Sequence, residues 1–559
     1  MRVKKEAQVW AFDTEDDSKG NVKIINFFDG QNHHTFFDKK SAVNFLTEMS
    51  SSNMQFWACN LQYDLVNLFG DDVDCLEIGY VGSRVIDAKI KGTFVYFRDT
   101  LNHWKISVKE MGMRIGLEKI DVKGDFVNVE YCRRDTEITW KFVNQMKIHY
   151  ESIGCKLKST IGSTALNYFF DTQTVKRPKE NYFSTEQLEF MKLGYYGGRT
   201  EIFFNKPVEG NIQYVDFNSL YPSVMRRNFP VLNDHCCYFT NKPDFKKEGI
   251  LYGLVESPRN LYVPYLPCRS DNGGLIFPLG EFSGHWTYFE IREAQKIGYK
   301  IKKIFRALEF DSGNFYPFKN FVESLYIKRL EAKNKKDDLL SDAFKLIMNN
   351  LYGKFGQGRE FTKLLPLASK SDLRETDTIM GSFILRQEIG DYPKHTNMVW
   401  SSYTTAYGRH ELWLGMQKVR NKKGLLIYCD TDSIIFESDK RIFKESGDLG
   451  DLKSEGDFKY AHFKLPKLYV LIEKKGEKKY RAKGVPRLNA EEFFETGKTS
   501  FKRPYKLREA LRRNLSPKKK YKIIPNYWDL VEKQSLKKYD KRSVSKTGET
   551  KPLILGKGE

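Results

Sequence analysis

The chain has 559 residues, 40% of them hydrophobic, and a formal charge of +21, which leaves room for several domains and a large core and excludes a disordered polypeptide. No apolar run approaches the roughly 20 residues that span a bilayer, and Met-Arg-Val-Lys-Lys-Glu at the start precedes no apolar leader segment, so the expectation is an intracellular protein with no membrane partner. Eight cysteines without a Cys-x-x-Cys pair argue against a zinc ribbon or a disulfide framework, and the run His235-Cys236-Cys237 reads as reduced thiols.

Between Val9 and about Phe142, short apolar runs alternate with polar turns and end in a helical pattern over Glu137 to Met146, the mark of an α/β unit. Asp13 and Glu15 close the apolar run Val9 to Phe12, and Asn60-Leu-Gln-Tyr63-Asp64 adds a third carboxylate. Tyr131-Cys-Arg-Arg-Asp135 opens a helix with a fourth. Four such carboxylates can hold two divalent cations and activate water against a phosphodiester, with a tyrosine hydroxyl orienting that water. Taken singly, each is as compatible with a solvated acidic loop.

A polar helical stretch from Leu157 to Leu193 leads into Gly194-Tyr195-Tyr196-Gly197-Gly198, a helix-breaking cluster that suits a linker. Asn211 to Val215 reads as a strand delivering Asp216, followed by Phe217-Asn-Ser219-Leu220-Tyr221-Pro222. From Lys328 to Tyr352 the pattern is helical and basic; Lys345, Asn349 and Tyr352, spaced i, i+4, i+7, share one face while Phe344, Ile347, Met348 and Leu351 face a core. Leu425 to Phe436 reads as a hairpin in which Asp430 and Asp432, two apart in extended geometry, point to one side. Adding a nucleotide to a 3′-hydroxyl requires two cations clamped by carboxylates, a positive group for the triphosphate and an aromatic surface for the base. An acidic turn alone is ordinary, but with the Lys345 helix beside it a nucleotide site becomes the better reading. The last 59 residues hold 18 Lys and Arg against six Asp and Glu, mixed with Tyr505, Tyr521, Tyr527 and Trp528, a blend suited to phosphates and stacked bases.

In chain order, Asp216-x-x-Ser219-Leu220-Tyr221-Pro222, Lys345-x-x-x-Asn349-Asn350-x-Tyr352-Gly353 and Tyr428-x-Asp430-Thr-Asp432-Ser433 resemble the three polymerase motifs of family B DNA polymerases. Asn350 stands where that family usually has Ser. Lys467-Leu-Tyr469 resembles its Lys-x-Tyr motif, and Lys483-Gly484 the basic loop that follows. Asp13-x-Glu15, Asn60-x-x-Tyr63-Asp64 and Tyr131-x-x-x-Asp135 resemble its exonuclease motifs, and Tyr195-Tyr-Gly197-Gly198 its Tyr-x-Gly-Gly linker.

The resemblance implies an α/β and α+β multidomain chain: an RNase H-like 3′–5′ exonuclease domain over 1–165 and a linker over 166–210. Palm and fingers follow over 211–470, with fingers near 315–357 and an insertion near 358–397, then a thumb and basic region over 471–559. It implies two Mg²⁺ (or Mn²⁺) ions per active site, held by Asp216, Asp432 and the Phe217 carbonyl for polymerisation, with Asp430 supporting the second metal or its water shell. Asp13, Glu15, Asp64 and Asp135 would hold the ions for proofreading, with Tyr131 orienting water and Lys119 matching a lysine seen in some members. Ser219, Leu220, Tyr221, Lys328, Lys345, Asn349 and Tyr352 would bind the nucleotide, Tyr221 excluding a 2′-hydroxyl. Asn60, Tyr63, Tyr195, Gly197, Gly198, Lys467, Tyr469 and Lys483 would bind DNA.

The 81 positions from Asn349 to Asp430 (430 − 349) exceed a minimal connection, and the excess resembles the insertion of protein-primed polymerases of phages, adenoviruses and linear plasmids. In that branch such insertions contact a terminal protein and encircle DNA. The implied partners are template-primer and single-stranded DNA, deoxynucleotides and a terminal protein, for a monomer in the cytoplasm of a bacterial host if phage or plasmid encoded. Competing readings are a DNA clamp without catalysis, a family B polymerase not primed by a protein, and an RNA polymerase or reverse transcriptase sharing the aspartate logic.

Overall fold

The computed structural model describes residues 7–17, 21–49, 53–69, 75–81, 84–121, 128–231, 237–311, 315–366, 373–380, 383–504, 528–534 and 538–556. His235, Cys236, Tyr505, Tyr521 and Tyr527 lie outside the described residues. No described helix is long and apolar enough to cross a membrane.

Three sheets organise the chain. The first has ten strands built around Gln8–Asp16, which pairs antiparallel with Val22–Phe28 and parallel with Met54–Ala58. Trp10 and Phe12 enter an aromatic core with Phe27, Phe56 and Phe97. The strand does not stop at Phe12: its ladder runs to Glu15↔Ile24 before a bulge, so Asp13 and Glu15 are strand residues sharing one side. The helix Val129–Ser152 packs against this strand, its Trp140 indole donating to the Val9 carbonyl at 3.0 Å.

The far part of the same sheet comes from elsewhere in the sequence. Glu360–Pro366 joins Leu76–Val81 through Thr362↔Tyr80, and Phe383–Ile389 and Thr378–Met380 follow outward. The insertion expected over 358–397 is therefore an extension of the first domain's sheet.

The second sheet has seven antiparallel strands: Lys478–Ala482, Leu468–Glu473, Leu452–Leu465, Val208–Phe217, Ser433–Glu437, Leu425–Asp430 and Thr200–Ile202. The helix Met398–Asn421 packs on it and is buried continuously from Met398 to Arg409. The third sheet has five strands, Cys237–Thr240, Lys300–Phe310, Glu248–Glu256, Leu279–Thr287 and Ile554–Leu555. The sequence reading foresaw no separate sheet within 211–470.

The basic helical stretch is two helices, Lys319–Asn334 and Asp338–Asn350, followed by a short turn of helix, Tyr352–Phe355. The break falls in Lys333-Asn-Lys-Lys-Asp-Asp338, which offers no apolar side chain to bury; Lys336 turns left-handed at φ 58°, and the Asp337 carboxylate accepts the Leu340 amide at 3.0 Å. The polar stretch after Leu157 likewise divides into Ile161–Thr172 and Thr185–Leu193. The region expected to be thumb and tail also divides: Lys498–Pro504 and Trp528–Gln534 form a two-stranded ribbon, while 538–556 returns to the second and third sheets.

Phe318 ties these parts together. Its ring lies 5.0 Å from Trp400, 5.1 Å from Phe229, 5.3 Å from Phe169 and 5.6 Å from Phe355, and it is fully buried. Phe318→Ala is expected to lower unfolding stability by about 3–5 kcal/mol, read from denaturant or thermal melting, because this rigid cluster cannot collapse onto the void.

Candidate active sites

Asp216 lies one residue from the end of Val208–Phe217, opposite Ser433 on one side and Lys453 on the other. The neighbouring hairpin turns through Thr431 and Asp432, closed by the pair Asp430↔Ser433. Thr431 sits at φ 63°, a left-handed conformation that costs an L-residue roughly 1–2 kcal/mol. Its amide donates to the Arg199 carbonyl at 2.7 Å, and the Phe217 amide donates to the Asp432 carbonyl at 2.8 Å.

This turn corrects the expectation that Asp430 and Asp432 point to one side, because strand alternation ends where the hairpin reverses. Asp216 and Asp432 line a cavity of about 270 Å³, and Asp430 is not among its lining residues. The Asp430 carboxylate instead accepts from Thr200 Oγ1 (3.0 Å), Tyr428 OH (3.1 Å) and Thr431 Oγ1 (3.2 Å), and pairs with Lys467 Nζ at 3.2 Å. Burial, then the charges of Asp432 and Glu455, push the Asp216 carboxyl up to about 7, with Lys345 and Lys453 opposing. Burial raises Asp432 as well.

Lys345, Asn349, Ser219, Leu220, Tyr221 and the Phe217 position line the same cavity. Ser219 is left-handed at φ 53°, and its buried hydroxyl has no hydrogen-bond partner, as suits a site that receives an acceptor-rich group. Leu220 is 2% exposed and serves mainly as a core residue. Tyr352 stands beyond the end of its expected helix but packs against Tyr221, ring centroids 4.6 Å apart and planes tilted by 45°. Lys328 is not among the lining residues; its neighbour Arg329 is, one residue being about 100° around a helix. Arg329, Lys453 and Glu455 escaped the sequence reading. The last two alternate on Leu452–Leu465 with no motif around them, and only the pairing Lys453↔Asp216 brings them to the site.

Within the glycine linker, close approach requires glycine at 198, whereas a Cβ on Gly197 would meet open space. A Cβ on Gly198 would come 2.8 Å from Thr431 and 3.0 Å from the Tyr221 hydroxyl. Arg409, 5% exposed, donates to the carbonyls of Tyr196 (2.8 Å) and Gly197 (3.0 Å) and pairs with Glu290 at 2.6 Å; Arg269 donates to the Tyr195 carbonyl at 3.0 Å. On the other side, Lys467 occupies a tight turn at φ 62° and accepts the Lys483 amide on its carbonyl at 3.1 Å, and the Tyr469 ring lies 4.7 Å from Phe463. None of Lys467, Lys483 and Tyr469 lines the cavity; Lys467 reaches Asp430 instead.

In the first domain, carboxylate oxygens of Asp13, Glu15 and Asp135 lie within 4.8 Å of one another. Asp64 is not part of that cluster. It is buried behind it, where one oxygen accepts both the Thr14 amide (3.1 Å) and the Thr14 hydroxyl (2.8 Å). The hydroxyl between Asp13 and Glu15 was the signal for this contact. Burial, then the charges of Glu15, Asp64 and Asp135, raise Asp13 strongly; burial and Asp135 push Glu15 up to about 7. Lys119 pairs with Asp135 and lies 4.4 Å from the centre of the Tyr131 ring. Tyr63 donates to Asp16 at 2.8 Å, and Asn60, left-handed at φ 72°, donates its amide to Asp99 at 3.2 Å. Asp13 Oδ2 and Asp135 Oδ1 are buried without a hydrogen-bond donor. Hard anionic oxygens, orphaned and mutually repelling, fit a divalent cation; the Asp216 and Asp432 pair has the same donor chemistry.

The family described as DNA polymerase type B, organellar and viral, matches residues 111–408. A protein of Ascobolus immersus named "Probable DNA polymerase" is 30% identical over 309 residues, 52% of this chain and 25% of that protein. The DNA-directed DNA polymerase of Enterobacteria phage PRD1 is 27% identical over 363 residues, 61% of this chain and 60% of that protein. The DNA polymerase of Bacillus phage phi29 is 24% identical over 429 residues, covering 70% and 69%. The match thus spans a quarter of the Ascobolus protein's length. Phi29 DNA polymerase solved with primer-template DNA and incoming nucleotides has the same fold, with TM-score 0.71 and 17% identity over 90% of this chain and 98% of that one.

The raised carboxyls make stability depend on pH. Glu15 and Asp216 titrate near 7 in the folded chain, above their unfolded values near 4, so folding holds protons that the unfolded chain releases. In a chelator, their contribution is most favourable below the unfolded values and is lost as pH climbs through about 7. The melting temperature should therefore fall between about pH 5 and pH 8, and saturating Mg²⁺ should flatten that fall, whereas a slope that Mg²⁺ leaves unchanged would refute the assignment.

Proposed function

Because the chain belongs to the organellar and viral type B DNA polymerases, we propose that it is a DNA-directed DNA polymerase that also removes nucleotides from the 3′ end. The observation that carries this reading is the convergence of Asp216, Asp432, Lys345 and Tyr221 on one cavity. Lys345 and Arg329 meet the triphosphate, Ser219 offers its free hydroxyl, and Asn349 lines the space for the nascent pair. Tyr221, packed against the tilted ring of Tyr352 and hemmed by Gly198 and Gly408, forms a rigid floor under the sugar that favours deoxynucleotides. Two Mg²⁺ or Mn²⁺ ions on Asp216, Asp432 and the Phe217 carbonyl would supply charge neutralisation and activation of the 3′-hydroxyl. Asp430 fixes the hairpin and holds Lys467 toward the primer terminus.

At the second site, Asp13, Glu15 and Asp135 hold the ions for hydrolysis, Asp64 completes the charge behind them, and Lys119 with Tyr131 orients the attacking water. Asn60 and Tyr63 flank the single strand. The insertion over 358–397, built as strands on the first sheet, supports a protein-primed mode in which a terminal protein supplies the first hydroxyl. The same reading makes the enzyme a monomer acting inside a host cell. A DNA clamp without catalysis would have no use for the full acidic sets retained at both sites.

Primer extension with Mg²⁺ and deoxynucleotides tests this. Asp432→Ala should lower extension at least roughly 100-fold while leaving hydrolysis of single-stranded 3′ ends near the parent rate, and Asp13→Ala should do the reverse. Extension by Asp432→Ala at the parent rate would sink the polymerase assignment. Transfer of a first deoxynucleotide onto a candidate terminal protein separates the protein-primed mode from a polymerase that needs a nucleic-acid primer.

A further inference from the structure

The strand Thr200–Ile202 is the edge of the seven-stranded sheet, and it touches the Asp430–Asp432 turn directly. Thr200 Oγ1 donates to Asp430 at 3.0 Å, and the Arg199 carbonyl accepts the Thr431 amide at 2.7 Å. An edge strand of three residues has little of its own to hold it. Its outer side is taken up by the last described segment of the chain. Tyr539 OH accepts the Ile202 amide at 2.9 Å and donates to the Ile202 carbonyl at 3.2 Å, standing in for a neighbouring strand. Lys541 Nζ donates to the Thr200 carbonyl at 2.9 Å. Thr550 donates its amide to the Phe203 carbonyl at 2.9 Å and its hydroxyl to the Ile202 carbonyl at 2.8 Å. Arg542, 1% exposed, donates to Thr550 Oγ1 at 2.8 Å and to the Tyr262 carbonyl at 3.0 Å, which locks the segment to the loop beside the third sheet.

We infer that the carboxyl-terminal segment 538–556 is a positioning element of the polymerisation site, with Tyr539 and Lys541 acting through Thr200–Ile202 on the Asp430–Asp432 turn. The inference rests on the polymerase reading for its consequence, though the structural link stands apart from it. The chain leaves the second sheet at Ala482, forms the ribbon of Lys498–Pro504 with Trp528–Gln534, and returns to brace the opposite edge of the same sheet.

The test uses the full chain carrying Lys541→Met, Tyr539→Phe or Thr200→Val, with Lys541→Arg as the conservative variant. Amide hydrogen exchange at 430–433 should quicken at least roughly tenfold in the first three, and the Mg²⁺ concentration for half-maximal primer extension should rise several-fold. Hydrolysis of single-stranded 3′ ends should stay at the parent rate, and Lys541→Arg should restore both readouts. Unchanged protection at 430–433 would overturn the inference, as would a loss of protection spread equally over the first and third sheets. If protection at 430–433 is lost selectively while the parent chain extends no primer, the positioning link stands and the polymerase reading fails.

Discussion

Carboxylates that repel one another are held together out of water at two places in this chain, and most of the fold is arranged to make that tolerable. Like charges within 4.8 Å repel by roughly 3 kcal/mol per pair at an effective dielectric constant near 20, so three such pairs rival the whole net stability of a typical domain, about 5–15 kcal/mol. Two responses are visible. Glu15 and Asp216 keep protons up to about pH 7, and Lys119, Lys345 and Lys453 stand beside the acids as partial counter-charges. Divalent cations would relieve the same repulsion, as the proposed function requires.

Rigidity comes from strands and from strained turns. Among the described residues, six non-glycine positions are left-handed, and four of them, Asn60, Ser219, Thr431 and Lys467, adjoin the two acidic sites. Such conformations persist only where the surroundings over-determine them. Thr431 shows how: its amide is taken by Arg199, its side chain packs against Gly198, and the hairpin around it is closed by Asp430↔Ser433. The energy stored in these turns is the counterpart of the exact placement they give Asp432 and Lys467. Gly198 and Gly408 work in the same direction, since any side chain there would displace Tyr221 from the cavity floor.

The acidic strand, the Lys345 helix and the Asp430–Asp432 hairpin were legible because each is a local pattern: an apolar run ending in polar residues, a 3.6-residue period, a turn between two strands. The family resemblance then supplied roles that spacing alone left open. What remained hidden depended on pairing between distant parts of the chain. Nothing near Thr362 points to Tyr80, and nothing near Glu455 points to Asp216, because strand pairing leaves no mark on local periodicity. Arg329 was missed in favour of Lys328 since one residue of helical rotation decides which cation reaches the cavity. The turn at Thr431 defeated the alternation argument for Asp430, whose oxygens are occupied by Thr200, Tyr428 and Lys467. The basic C-terminal region read as charge, and nothing in that charge pattern pointed to the contacts its described end makes with the second sheet.

Two separate groups of partly buried carboxylates, one on each of the first two sheets, form the proposed cation cradles. Crystals of the full chain soaked in Mn²⁺, with anomalous scattering collected at the manganese edge, test this most directly. Peaks are expected at Asp13, Glu15 and Asp135 and at Asp216 and Asp432, each set lost when its aspartates are replaced by asparagine. Manganese bound elsewhere with both cradles empty would contradict this assignment.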